Sequence, residues 1–306
     1  MDLKNLFSDR IKLCSVGIII TAIIFMIFRI LFPFFDFPPF MEEFLDGDFY
    51  ILLDHMKGGL SHFYDPDKAR AAIYLYYWYF MFFPFYIIPS GISVYLWDIL
   101  RLILFLYIIN NLKNITRNDF ALYGFILLSY IGFFFDAYLG NSNFLILFFL
   151  FMSFKYLEKG NVWLAGLFMA LACFKITSII FLIILLIIRK IKIKEIPKYL
   201  APLLLLLIPY IVFPPLLIQF IDNLFILEDA EGNIISPPDF GNPILNFLAR
   251  IYLFIWQALQ PAQIMVYSFF LLLIFQYFID KKSLKKDKNL ETQVLSNSKK
   301  KNRNMK

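Results

Sequence analysis

Long apolar runs alternate with short polar breaks along nearly the whole chain, and their length decides the architecture. A helix needs about 20 apolar residues to cross the roughly 30 Å hydrocarbon layer of a bilayer. Runs at 13–34, 92–112, 120–138, 144–156, 163–174, 177–188, 199–213 and 264–279 predict eight such helices. Residues 71–90 are also apolar and aromatic, but Pro84 and Pro89 interrupt them. They read as a half-membrane or interfacial segment. The expected fold class is therefore an all-α polytopic membrane protein. Several runs are short, and broken helices at membrane depth are tolerated only where the freed backbone is buried in protein or lines a wet cavity. A cavity at the outer leaflet follows.

The placement of Lys and Arg sets the orientation, because cytoplasmic loops carry an excess of them. With 71–90 not counted as a crossing, Lys4/Arg10/Lys12, Lys113/Arg117, Lys155/Lys159, Arg189/Lys190/Lys192/Lys194 and the tail 281–306 all fall on one side. Both termini are then cytoplasmic, in what is expected to be the plasma membrane. Four polar features lie outside: an acidic loop at 35–70, a turn at 140–143, a break at Lys175 and a late loop at 214–260. The domain reading is one membrane domain over 1–280, followed by a basic, disordered tail at 281–306 that touches anionic lipid. No small-residue cleavage pattern follows the first run, so it stays a helix rather than a signal peptide.

Composition sharpens this. At 60% hydrophobic and 17% charged residues, a soluble core is excluded. The net charge of +6 sits in short loops and the tail, which argues for membrane lipid and against nucleic acid as the partner. Cys14 and Cys173 fall in apolar runs and read as packing residues. His55 and His62 are too few for a metal site and read as surface residues.

The sharpest local feature is Asp46-Gly47-Asp48-Phe49-Tyr50. Two carboxylates this close are a solvated acidic loop, or share a proton or a divalent cation, or act as a base and the group that orients the acceptor. No cofactor is implied, and a divalent cation remains open. Lys175 lies between two apolar runs, where an ammonium either snorkels to the interface or serves a site. Asp98 and Arg101, three apart on one helix, read as neutralising each other. Asp136 ends a helix and either lines the cavity or meets water.

These features occur in a recognisable order. Asp46-Gly47-Asp48-Phe49-Tyr50, Gly58-Gly59, Tyr64-Asp65, the aromatic stretch around Tyr77 with Pro84 and Pro89, Gly140-Asn141-Ser142-Asn143, Ala165-Gly166 leading to Lys175, and Asn242 with Arg250 resemble the membrane-embedded GT-C glycosyltransferases. Within them the chain is similar to polyprenol-phosphate-mannose-dependent α-mannosyltransferases of the phosphatidylinositol-mannoside type, and more distantly to the first mannosyltransferase of glycolipid-anchor synthesis.

The resemblance implies an inverting transfer of a hexose, mannose in the relatives, from a polyprenyl-phosphate donor to a lipid or glycan acceptor at the extracytoplasmic face. It implies Asp48 as base with Asp46 second, and Lys175 and Arg250 at the donor phosphate. Asn141, Asn143, Asn242, Asp136 and Tyr77 would line the cavity, Asn141 and Asn143 standing also as simple helix caps. Arg250 reads equally as an interfacial anchor. Relatives commonly carry more helices after the Arg250 region, so a partner subunit is an expectation. Two other functions stay open: a lipid or small-molecule transporter or flippase, which would predict internal repeats, and a non-catalytic subunit of a glycosylation complex.

Overall fold

The computed structural model describes residues 10–31, 45–64, 73–112, 119–224, 227–228, 234–235, 245 and 263–282. Asn242, Arg250, much of the first and late outer loops and the tail beyond 282 lie outside these residues.

All eight apolar runs fold as helix. In chain order the helices are α1 (Arg10–Leu31), α2 (Gly47–Met56), α3 (Tyr77–Tyr86), α4 (Ser90–Asn111), α5 (Asp119–Leu139), α6 (Asn143–Glu158), α7 (Val162–Ala172), α8 (Ile180–Ile187), α9 (Ile196–Leu206), α10 (Ile208–Val212), α11 (Pro214–Asn223) and α12 (Ile264–Lys282). Short 3-10 turns at Leu60–His62, Ile176–Ile179 and Ile193–Glu195 and an antiparallel pair of two-residue strands, Leu227–Glu228 and Ile234–Ile235, complete the regular structure among the described residues. α1, α4, α5 and α12 are each long and apolar enough to cross a membrane. Their outward faces carry exposed Ile, Leu and Phe, among them Ile24, Ile103, Leu127 and Phe278, as a surface solvated by lipid requires. The protein is an all-α polytopic membrane protein.

The shorter helices fill the interior. α6 packs on α7 and on α4, and α7 packs on α9. α3 is ten residues long, a rise of about 15 Å or half a hydrocarbon thickness. α6 and α7 form a hairpin closed by the left-handed Gly160, with Asn161 capping α7 through a 3.1 Å bond from Leu164 N–H. The close approach of α7 to α9 depends on Gly166, where a Cβ would stand 2.2 Å from the Tyr199 carbonyl oxygen.

Two boundaries differ from the hydrophobic pattern. The run at 199–213 is not one helix: α9 starts earlier, at Ile196, and ends at Leu206, and α10 begins anew before Pro209. Proline lacks the N–H and crowds the preceding turn, so apolarity continues while the helix does not. The late loop opens on a helix, α11, with Pro214 at its first position, where a missing N–H costs nothing. α11 buries Phe220 and Asn223 and leaves Leu217, Ile218 and Ile221 exposed. α12 runs to Lys282 and so takes in the first two residues of the expected tail. His55 is also a correction to the surface reading: it is 2% exposed and meets the Phe63 ring edge-on, because α2 turns that face inward with Leu52 and Met56.

Candidate active site

The segment between α1 and α3 reaches the membrane helices through Asp46. Its N–H donates to the Tyr138 carbonyl at 2.9 Å, and its backbone is left-handed at φ 57°, a conformation that Asp tolerates. This seats α2 on the end of α5, against Gly140. A Cβ at Gly140 would lie 2.8 Å from Phe49 Cβ and 3.0 Å from Asp46 Cα. Gly140 is also left-handed, at φ 69°. It closes α5 in a Schellman turn, with Gly140 N–H donating to Ala137 O and Asn141 N–H to Asp136 O. The turn thereby presents Asn141 and Asn143 towards α2, while the Trp97 indole N–H donates to the carbonyls of Gly140 and Asn141.

Two polar systems meet here. The first is ionic and buried. Arg29 of α1 binds Asp46 at 2.5 Å and also Asp98 of α4. Arg101 binds Asp98, one turn before it, and donates from Nε to Asp136 at 2.9 Å. Its Nη2 donates to the Asn141 carbonyl at 3.0 Å, and Asp136 accepts the Asn143 N–H at 3.0 Å. The pairing of Asp98 with Arg101 is thus part of a chain of five charges tying α1, α2, α4 and α5 together. Asp136 does not meet water: it is fully buried.

The second system is the candidate chemistry. Asn141 Nδ2 donates to Asp48 at 2.5 Å, and Asn141 Oδ1 accepts from Lys175 Nζ at 2.7 Å. Lys175 also donates to Asn143 Oδ1 at 3.1 Å, and its ammonium lies 5.4 Å from the centre of the Tyr74 ring. Asp48 is half-buried in the first turn of α2, where the helix dipole favours a negative charge. Lys175 is buried, in an extended residue between α7 and a 3-10 turn at Ile176–Ile179. Leu75 N–H fixes the adjoining peptide by donating to the Phe174 carbonyl at 2.8 Å. The Nδ2 of Asn143 is buried with no hydrogen-bond partner among the described residues. It belongs to the same amide whose oxygen accepts from Lys175.

Asp48, Asn141, Asn143 and Lys175, separate in sequence, thus come together. Asp46 stands apart from them as part of the ionic chain. Tyr77 is turned onto α7, its hydroxyl donating to the Ala170 carbonyl at 2.5 Å. Asn242 and Arg250 lie outside the described residues. Arg29 is the residue that the sequence reading passed over. An arginine near the end of an otherwise apolar helix carried the signal, since ionisable groups in such helices are rare and engaged with partners. Among the described residues no three His, Cys, Asp or Glu side chains gather as a metal site.

A many-helix membrane protein with buried ion pairs beside a half-buried carboxylate and a buried ammonium has the constitution of a membrane enzyme. Residues 74–280, more than half of the chain, match the family described as glycosyltransferase family 87. The chain belongs to that family, and is a membrane glycosyltransferase of the GT-C type. No curated protein and no solved structure matches it.

Proposed function

We propose that the protein transfers a hexose, mannose by resemblance, from a polyprenyl phosphate to a lipid or glycan acceptor at the extracytoplasmic face, with inversion at the anomeric carbon. The observation that carries this reading is the Asn141 amide, which joins Asp48 on one side to Lys175 on the other. One side chain fixes a base and a cation at a short, constant separation.

In the reaction the acceptor hydroxyl gives its proton to Asp48 as its oxygen bonds to the anomeric carbon. The bond from that carbon to the phosphate oxygen breaks, and the electron pair leaves with the polyprenyl phosphate. A phosphate leaves without a proton, so one carboxylate suffices, and a β-linked donor gives an α-linked product. Lys175 neutralises the charge that develops on the departing phosphate, and the unpaired Asn143 amide donates to one of its oxygens. Both act at low dielectric, where their contribution is largest. Asp46 is held by Arg29 and seats α2, and so serves the site by placing Asp48. Arg250 would add a second cation to the phosphate.

The test is to incubate the purified protein with radiolabelled polyprenyl-phosphate mannose and candidate acceptors, comparing wild type with Asp48→Asn. The expected result is transfer by wild type and a loss of about 10²- to 10⁴-fold in the variant, the usual scale of general-base catalysis. Equal product from both would remove Asp48 as base. Failure of folded wild type to consume any polyprenyl-linked sugar would overturn the donor class.

A further inference from the structure

A polar cavity lies at the other end of the helices from the candidate active site. Asn143 opens α6 at the candidate active site and Glu158 closes it, some 22 Å away at 1.5 Å per residue. There the ends of α6, α8 and α12 surround a space of roughly 330 Å³, partly open, lined by Phe154, Glu158, Ile188, Arg189, Lys190, Leu273, Gln276, Tyr277 and Asp280. Its wall is apolar where Phe154, Ile188 and Leu273 face it, and polar at the rim.

The rim is built around Arg189. α8 ends in the same turn as α5 and α6, with Lys190 N–H donating to Leu185 O at 2.9 Å and Arg189 N–H to Leu186 O at 3.1 Å. In α5 and α6 the left-handed residue of this turn is Gly140 or Gly160; in α8 it is Arg189, at φ 57°. Only glycine enters that region without a steric penalty, and a long side chain kept there points to a use for the side chain. The neighbouring charges are already engaged. Lys190 binds Glu158 at 2.6 Å, and Asp280 accepts from the Gln276 amide at 2.7 Å. Arg189 has no ion pair or hydrogen bond from its guanidinium to any described residue. Around the cavity, segments 155–159, 189–194 and 280–282 hold eight Lys and Arg against two carboxylates.

We propose that this cavity binds the headgroup of an anionic glycerophospholipid. Arg189 forms the bidentate pair with the phosphodiester, the geometry for which a planar guanidinium is suited. The first acyl carbons lie on Phe154, Ile188 and Leu273. Basic cavities between membrane helices are the setting in which lipid phosphates are held.

The experiment uses the full chain in detergent, titrated with dioleoyl phosphatidylglycerol, with dioleoyl phosphatidylcholine or with inorganic phosphate, and read by thermal unfolding and native mass spectrometry. The informative variant is Arg189→Gly, because glycine suits the backbone and the variant should unfold no lower than wild type in the absence of lipid. Phosphatidylglycerol is expected to bind and stabilise where phosphatidylcholine does not, and Arg189→Gly to weaken that binding about fivefold, the usual share of one basic side chain near an anionic lipid. Lys198→Gln, an exposed cation on α9 outside the cavity, should leave it unchanged. Equal binding of the two lipids, undiminished binding by Arg189→Gly, or an equal loss in Lys198→Gln would overturn the site. Stabilisation by inorganic phosphate equal to that by phosphatidylglycerol would overturn the lipid as its ligand.

Discussion

Arg29 and Arg101 face three carboxylates, Asp46, Asp98 and Asp136, so the buried chain holds one negative charge more than its guanidiniums neutralise. Asp46, at the outer end of the chain, is where a proton is most readily accommodated. Burial pushes its carboxyl up to about 7; Arg29 pulls the other way and Asp98 adds to the rise. The folded protein therefore keeps a proton between about pH 4 and 7 that the unfolded chain releases, so stability falls as pH rises through that window and levels off above it. Thermal unfolding at pH 5 and pH 8 should show the difference, and Asp46→Asn should reduce it. Arg29→Met is expected to be far more damaging than Asp46→Asn, by about 3–5 kcal/mol, because it strands two carboxylates rather than removing one; denaturation of the two variants side by side measures it. At this scale Asp48 and Lys175 were legible in the sequence, since each is a charge in an unusual setting. The bridging role of Asn141 was not, because a polar turn shows no partners until the helices around it are placed.

The helices themselves were legible almost everywhere, because period and apolarity change together at their ends. The exceptions have local causes. Pro209 divides an apolar run that hydropathy joins, and α11 is amphipathic over ten residues beside polar sequence, which hides it within a loop. Packing between elements was visible only as glycines without an evident purpose. Gly166 turned out to be the point where α7 touches the backbone of α9, with the Ser153 and Tyr199 hydroxyls 2.7 Å apart beside it. Gly166→Leu should lower the free energy of unfolding by at least the roughly 1–3 kcal/mol usual for overpacking, since backbone rather than a flexible side chain is in the way. Gly140→Ala should act differently. It strains the left-handed turn and pushes on Phe49, so transfer activity is expected to fall more than stability as Asn141 leaves its place between Asp48 and Lys175. Activity and unfolding assays on the same preparation separate the two effects.

Across the whole molecule, the stretch that matches the family begins at residue 74, whereas Arg29, Asp46 and Asp48 all precede it. The ion pairs from α1 to α2 and α4 cross that boundary, so the matched region is not a folding unit by itself. Production of 1–40 and 41–306 as two chains in one cell should therefore reconstitute a complex that unfolds at a higher temperature than 41–306 alone, and Arg29→Met in the short piece should abolish the gain. The same pairing is completed only as synthesis proceeds. α1 emerges first, with Arg29 two residues from its end, where a long cationic side chain can still reach the headgroups. Its partners Asp46 and Asp98 are translated later, and the second of them arrives inside a new hydrophobic helix. Arg29 thus meets its second carboxylate only once α4 has been made, which makes the ion pair a mark of a chain translated that far as much as a brace of the finished enzyme.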